Sequence, residues 1–156
     1  MQFCIKHITM TSSLPPKHLV LYADDDQDDI SLVTDTFSEY ANIELKTFPD
    51  GIALLNYVRF QPGNVKPCLV MIDINMPKMN GKQVLVELRD ISGYEEVPVV
   101  LFSTSTLPSE AAFAASFNAG FVIKPLYYDH LSSVAESLIE HCTDEVKKRI
   151  KTYQEK

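Results

Sequence analysis

Long hydrophobic runs are missing from this 156-residue sequence. No apolar stretch approaches the roughly 18 residues that a membrane-crossing helix needs. Glycine is scarce at five residues, and none is arranged as G-x-G-x-x-G. That excludes the glycine-rich loop on which plain nucleotide and flavin binders rest their phosphates. Cysteine is down to three, Cys4, Cys68 and Cys142, odd in number and far apart along the chain. This spacing gives neither a disulfide framework nor a zinc site, and it predicts a reducing cytosol. The four histidines, His7, His18, His130 and His141, match no metal-ligand spacing either. Positive charge is in deficit: 14 Lys and Arg against 21 Asp and Glu, a net −7. This balance argues against non-specific attachment to nucleic acid or to an anionic membrane. The N-terminus, MQFCIKHITMTSS, has one lysine and no apolar core, so it makes a poor signal peptide.

What is present suits one soluble domain with a sizeable core, since 46% of residues are hydrophobic and 22% charged. Residues 1–17 end in the turn-rich SSLPPK and read as a poorly ordered tail, with Met10 an alternative start. From His18 the pattern becomes regular. HLVLYA, CLVMI, VPVVLF and GFVI read as short buried strands, and IELKTF (43–48) alternates like an edge strand. Between them lie helical stripes: Ile30, Val33, Phe37 and Tyr40; Ile52, Leu55 and Val58, stopped by Pro62; Val84, Leu85, Leu88 and Ile91; an Ala-rich helix from Pro108 to near Asn118; and Leu131, Val134, Leu138 and Cys142. Five β-α repeats over residues 18–142 predict an α/β domain, a parallel sheet covered on both faces. Residues 143–156 predict a helical extension, either continuous with the last helix or restarting at a Thr143 cap. No second domain, repeat or low-complexity segment is visible.

Open parallel sheets bind ligands beyond the carboxyl ends of their strands. Four apolar runs end in polar groups suited to phosphate chemistry: Asp24 and Asp25, then Asp73, then Ser103, then Lys124. In a flavodoxin-like order, 2-1-3-4-5, the first and third strands are neighbours, which gathers the three aspartates. Clustered carboxylates in a low-dielectric crevice take up a proton or bind a cation. Hard oxygen ligands suit Mg²⁺. A carboxylate beside such an ion can attack a phosphoryl group, and the serine and lysine would hold the new oxygens.

The residues ADDD (23–26), MIDINMPKMNG (71–81), VVLFSTS (99–105) and FVIKP (121–125) together resemble a response-regulator receiver domain, over about residues 18–142. The resemblance implies that Asp73 is the phospho-acceptor. It implies that Asp24, Asp25 and the Asn75 backbone carbonyl hold Mg²⁺ together with Asp73. Ser103 takes the place of the switch residue, Lys124 pairs with the phosphoryl group, and Pro125 follows through a cis Lys124–Pro125 bond. Phe121 takes the place of the aromatic whose rotamer reports the state; it lacks a tyrosine hydroxyl and needs no hydrogen-bond partner when buried. Asn75 and Ser105 occupy the positions that tune dephosphorylation. Phe117 departs from the family, which has glycine there.

The resemblance further implies a cytoplasmic, single-domain regulator of two-component signalling. Its partners would be a histidine kinase or a histidine phosphotransfer protein, with a downstream protein on the face of the fourth helix, fifth strand and fifth helix. A homodimer through that face is compatible with it. The chain would not be an enzyme beyond its own phosphotransfer and autodephosphorylation. Simpler readings stand beside these. Asp26, Asp28 and Asp29 suit a helix start without any metal. A receiver fold acting as a binding module that is never phosphorylated is one alternative. A haloacid-dehalogenase-type phosphatase, with Asp24 and Asp26 as its D-x-D and Asp24 carrying the phosphoryl group, is another.

Overall fold

The computed structural model describes residues 17–60, 65–127 and 131–150. The expected N-terminal tail, with Cys4, His7 and Met10, lies outside these residues, as do Pro62, His130 and Tyr153. The elements run in strict alternation: β1 (His18–Ala23), α1 (Gln27–Ser38), β2 (Ile43–Phe48), α2 (Gly51–Phe60), β3 (Leu69–Ile72), α3 (Gly81–Asp90), β4 (Val99–Ser103), α4 (Pro108–Ser116), β5 (Gly120–Ile123) and α5 (Leu131–Ile139), then a short α6 (Asp144–Arg149). The five strands are parallel in the order β2-β1-β3-β4-β5. This is the flavodoxin-like arrangement expected from the sequence.

Side chains alternate across the pleat, and so does the core. Leu19, Leu21, Val70, Ile72, Val99 and Leu101 point to the α2, α3 and α4 side, against Leu54, Leu55, Leu85, Leu88 and Ala114. Val20, Tyr22, Leu69, Met71, Val100 and Phe102 point to the other side, against Val33, Phe37, Ala135 and Leu138. Burial on both faces is why β1, β3 and β4 read as unbroken apolar runs.

The structure corrects several sequence expectations. GFVI is not a buried strand: β5 closes the sheet edge, and Ile123 is 50% exposed. In α2, Leu55 and Val58 are buried as expected, but Ile52 faces solvent and Gly51 and Leu54 complete the buried stripe. Tyr40 is buried but lies beyond the end of α1. The C-terminal segment restarts rather than continues: the Thr143 hydroxyl accepts from the Val146 N–H, and α6 follows. The glycine missing at 117 is explained locally. Phe117 has an ordinary φ of −108°, and the left-handed position falls on Asn118 at φ 52°. Asn tolerates that conformation better than most residues. Phe117 is free to stack on Phe113, with ring centroids 5.0 Å apart.

Candidate functional site

The parallel register decides which residues meet. Ala23 pairs with Ile72, Ile72 with Leu101 and Ser103 with Ile123, so β1 and β3 end level, and β4 and β5 end level with each other two residues further on. The residue after each strand end carries the same alignment: Asp73 N–H donates to the Ala23 carbonyl at 3.0 Å, and Lys124 N–H donates to the Ser103 carbonyl at 2.7 Å. Asp24, Asp25 and Asp73 converge, each with a carboxylate oxygen within 4.8 Å of the others. Asp24 and Asp73 are buried and Asp25 is exposed, which leaves the cluster open on one side. Three hard oxygen donors, two buried and one at the open side, form a donor set that fits a divalent cation retaining several waters.

Lys124 is the counter-charge. Its Nζ lies 2.6 Å from Asp24, 2.9 Å from Asp29 and 3.3 Å from Asp73. Burial opposes its charge, yet hydrogen bonds to Asp24 and Asp29 and the nearby Asp73 charge outweigh it, so Lys124 is held above the ordinary lysine range. Asp73 moves the other way from a typical paired carboxylate. Burial pushes it up to about 6; Lys124 pulls it down, and the charges of Asp24 and Asp25 raise it again.

Asp24 is saturated. Its Oδ2 accepts from the Tyr22 hydroxyl and from Lys124, and its Oδ1 accepts from the Asp26 backbone N–H at 2.9 Å. Tyr22 and Asp29 are the two functional side chains that sequence reasoning missed. Tyr22 is fully buried, and burial together with Asp24 raises its phenol above the ordinary range. Asp26 caps α1 as expected, accepting from Asp28 N–H at 2.9 Å. Asp29 does more than support the helix start. It sits one turn into α1, where the helix turns it toward Lys124; its position on α1 was the available signal.

The loop after β3 is shaped by Asn80 and Gly81. Asn80 forms a capping box with Gln83 at the start of α3. Gly81 donates its N–H to the Ile74 carbonyl at 2.8 Å. A Cβ at Gly81 would lie 2.3 Å from the Asp73 carbonyl oxygen, so only glycine lets α3 begin this close to the end of β3. Asn75 is exposed in the same loop.

Ser103 is buried at the end of β4, where its Oγ accepts from Ser105 N–H at 3.2 Å. Ser105 in turn accepts from Leu107 N–H at 3.2 Å. Phe121 is half-buried and packs inward on the α2, α3 and α4 side. The expected cis Lys124–Pro125 bond is not found; no peptide bond among the described residues is cis. The trans form of an X-Pro bond is intrinsically favoured by about 0.5–1 kcal/mol. The residues that follow, Leu126 and Tyr127, are 88% and 78% exposed and make no buried contact that would hold the other isomer.

A model of the response regulator receiver domain matches residues 20–136. The chain belongs to this family. A curated relative, the probable methanogenesis regulatory protein FilR2 of Methanothrix harundinacea, is 32% identical over 95 residues, 59% of this chain and 61% of that protein. The chain thus spans less than two thirds of the length of the first curated relatives it matches. Among solved receiver structures, the phosphorylated cyanobacterial phytochrome response regulator RcpA has a TM-score of 0.74 at 22% identity, covering 83% of this chain and 96% of its own. The Mn²⁺-bound form of response regulator Rcp1 has a TM-score of 0.69 at 22% identity, covering 79% and 92%. At these identities the structures support the receiver fold. Among the described residues, no helix is long and apolar enough to cross a membrane.

Proposed function

We propose that this receiver domain is a response regulator that accepts a phosphoryl group on Asp73 with Mg²⁺ bound, and thereby changes a partner-binding face. The observation that carries the proposal is the convergence of Asp24, Asp25 and Asp73 within 4.8 Å, with the Lys124 ammonium 3.3 Å from Asp73. Asp24, Asp25, Asp73 and the Asn75 carbonyl would hold the ion, which when bound neutralises charge on the phosphoryl oxygens. The Mn²⁺-bound form of Rcp1 supports a divalent cation in this fold.

An Asp73 carboxylate oxygen attacks phosphorus of a phosphohistidine on a kinase or phosphotransfer protein. The P–N bond breaks, the imidazole leaves, and an acyl phosphate forms. Lys124 contacts the new phosphoryl oxygens from one side and the Ser103 hydroxyl donates from the other. Water later attacks phosphorus and returns Asp73, with Asn75 and Ser105 flanking its approach. The domain is not otherwise an enzyme. Leu107, Ile123, Leu126 and Tyr127 are 58%, 50%, 88% and 78% exposed around α4, β5 and the loop after it, which supports a protein partner there. A phosphatase reading with Asp24 as nucleophile is disfavoured, because both Asp24 oxygens already accept hydrogen bonds and the residue is 0% exposed.

The test is intact mass after incubation with Mg²⁺ and acetyl phosphate, with Asp73→Asn in parallel. One added phosphoryl group on the unsubstituted chain only is the expected result. An adduct that survives Asp73→Asn transfers the role to Asp24. Absence of an adduct together with no binding of beryllofluoride makes the chain a constitutive binding module.

A further inference from the structure

We propose that Cys68 and Cys142 form a reversible disulfide, with Cys68 the peroxide-reactive thiol and Cys142 the thiol that resolves it. The two are far apart in sequence, and the fold brings them together. Cys68 lies just before β3, tied to β1 by a 2.8 Å bond from its N–H to the Leu19 carbonyl. Cys142 closes the turn after α5, its N–H donating to the Ile139 carbonyl at 2.9 Å. Both side chains pack in one core cluster on the α1 and α5 side, and Cys68 lines a pocket with Thr143, the residue after Cys142, so the two thiols adjoin and influence each other. Both are free cysteines.

The pair is asymmetric in a way that assigns the roles. Cys68 is partly exposed and lines a surface pocket of about 280 Å³ with Lys17, His18, Lys66, Thr143 and Val146. Cys142 is 6% exposed. The contact with Cys142 lowers the Cys68 thiol, although burial opposes it. The same contact, and then burial, raises Cys142. Exposure assigns the roles: a peroxide from solution reaches the Cys68 sulfur, and Cys142 behind it is shielded.

The Cys68 thiolate attacks one oxygen of a hydroperoxide. The O–O bond breaks, the alcohol or water leaves with the proton, and Cys68 becomes a sulfenic acid. The Cys142 sulfur then attacks the Cys68 sulfur, the S–OH bond breaks, and water leaves with the Cys142 proton. Two thiols lose two electrons in total and the peroxide gains them. The disulfide ties the start of β3 to the end of α5, at the end of the sheet opposite Asp73, and does not depend on phosphoryl acceptance.

The test uses the full chain with Cys4→Ser, exposed to hydrogen peroxide and mapped without reduction. A linked Cys68–Cys142 peptide, lighter by two hydrogen atoms and released by dithiothreitol, is expected. Before oxidation, Cys68 should alkylate about tenfold faster than Cys142, as its greater exposure requires. Cys142→Ser should leave a dimedone-reactive Cys68, and Cys68→Ser should leave Cys142 unmodified. No linked peptide, chains joined through Cys68 of two copies, or equal alkylation of the two thiols would overturn the proposal. Should either serine variant fail to fold, the peptide map and alkylation rates of the Cys4→Ser chain decide alone.

Discussion

At Asp73, burial outweighs the attraction of Lys124, and the carboxyl rises from an ordinary value of 3.8 to about 6. A carboxyl raised by folding favours the native state where it is protonated. That contribution is complete below about pH 4 and is lost as pH rises through 6. The loss is on the order of 3 kcal/mol. In metal-free protein, Asp73→Asn should therefore raise the melting temperature above pH 6 and leave it unchanged below pH 4, as thermal scans across that range would reveal. With excess Mg²⁺ the order should reverse, since only the aspartate gains from the ion; equal melting temperatures at pH 7 without metal would remove the argument. Lys124 has the opposite sense. Its replacement by Met leaves Asp24, Asp29 and Asp73 without the cation they share. Removing one partner of a buried ion pair costs about 3–5 kcal/mol. Urea unfolding of Lys124→Met without metal should register that cost, and Mg²⁺ should restore part of it.

Between elements, two contacts hold the frame on which the site stands. Gly81→Ala places a Cβ 2.3 Å from the Asp73 carbonyl oxygen. Backbone cannot yield as a flexible side chain would, so the start of α3 must shift. Overpacking of this kind costs about 1–3 kcal/mol, and the rate of mass gain with acetyl phosphate should fall along with stability. Arg89, in the last turn of α3, reaches across to four carbonyls: Tyr94 and Val97 before β4, and Phe117 and Asn118 after α4, all at 2.8–2.9 Å. Arg89→Lys should not rescue Arg89→Ala, because a single ammonium cannot match the guanidinium fork; hydrogen exchange at the end of α4 should rise in both. These contacts also mark what sequence reading captures. Unbroken apolar runs, one alternating strand and the helical stripes locate β1 to β5 and α1 to α5, and the strand-end aspartates locate the acidic cluster. Edge status of β5 is not in GFVI itself, since a strand's neighbours are set by the order of the whole sheet. Ile52 alone was misplaced in α2, because Gly51, which carries no side chain, holds the buried position beside it. The Asp29–Lys124 and Cys68–Cys142 pairings join distant segments, and only packing selects them; Tyr22 reaches Asp24 two residues on, but its apolar strand hides the hydroxyl's role.

For the whole molecule, the question is whether a phosphoryl group on one aspartate can re-set a face built from α4, β5 and α5. Hydrogen bonds to charged groups contribute about 1.5–3 kcal/mol each. Lys124 and Ser103 together therefore supply about 3–6 kcal/mol. Turning a 1:99 population into 99:1 requires about 5.5 kcal/mol, so both contacts are needed and little is left over. Lys124 starts near the acceptor, 3.3 Å from Asp73, and is shared with Asp24 and Asp29. Its gain on phosphorylation is reduced by whatever it gives up there. Ser103 begins engaged only as an acceptor, from Ser105 N–H at 3.2 Å, and its own hydroxyl proton is available to donate. The decisive share of the switching energy thus falls on Ser103. Ser103→Ala should still accept the phosphoryl group, read as added mass, while the amide shifts around Phe121 and the α4, β5 and α5 face move by less than half of the unsubstituted response. A full response in Ser103→Ala would assign the coupling to Lys124 alone.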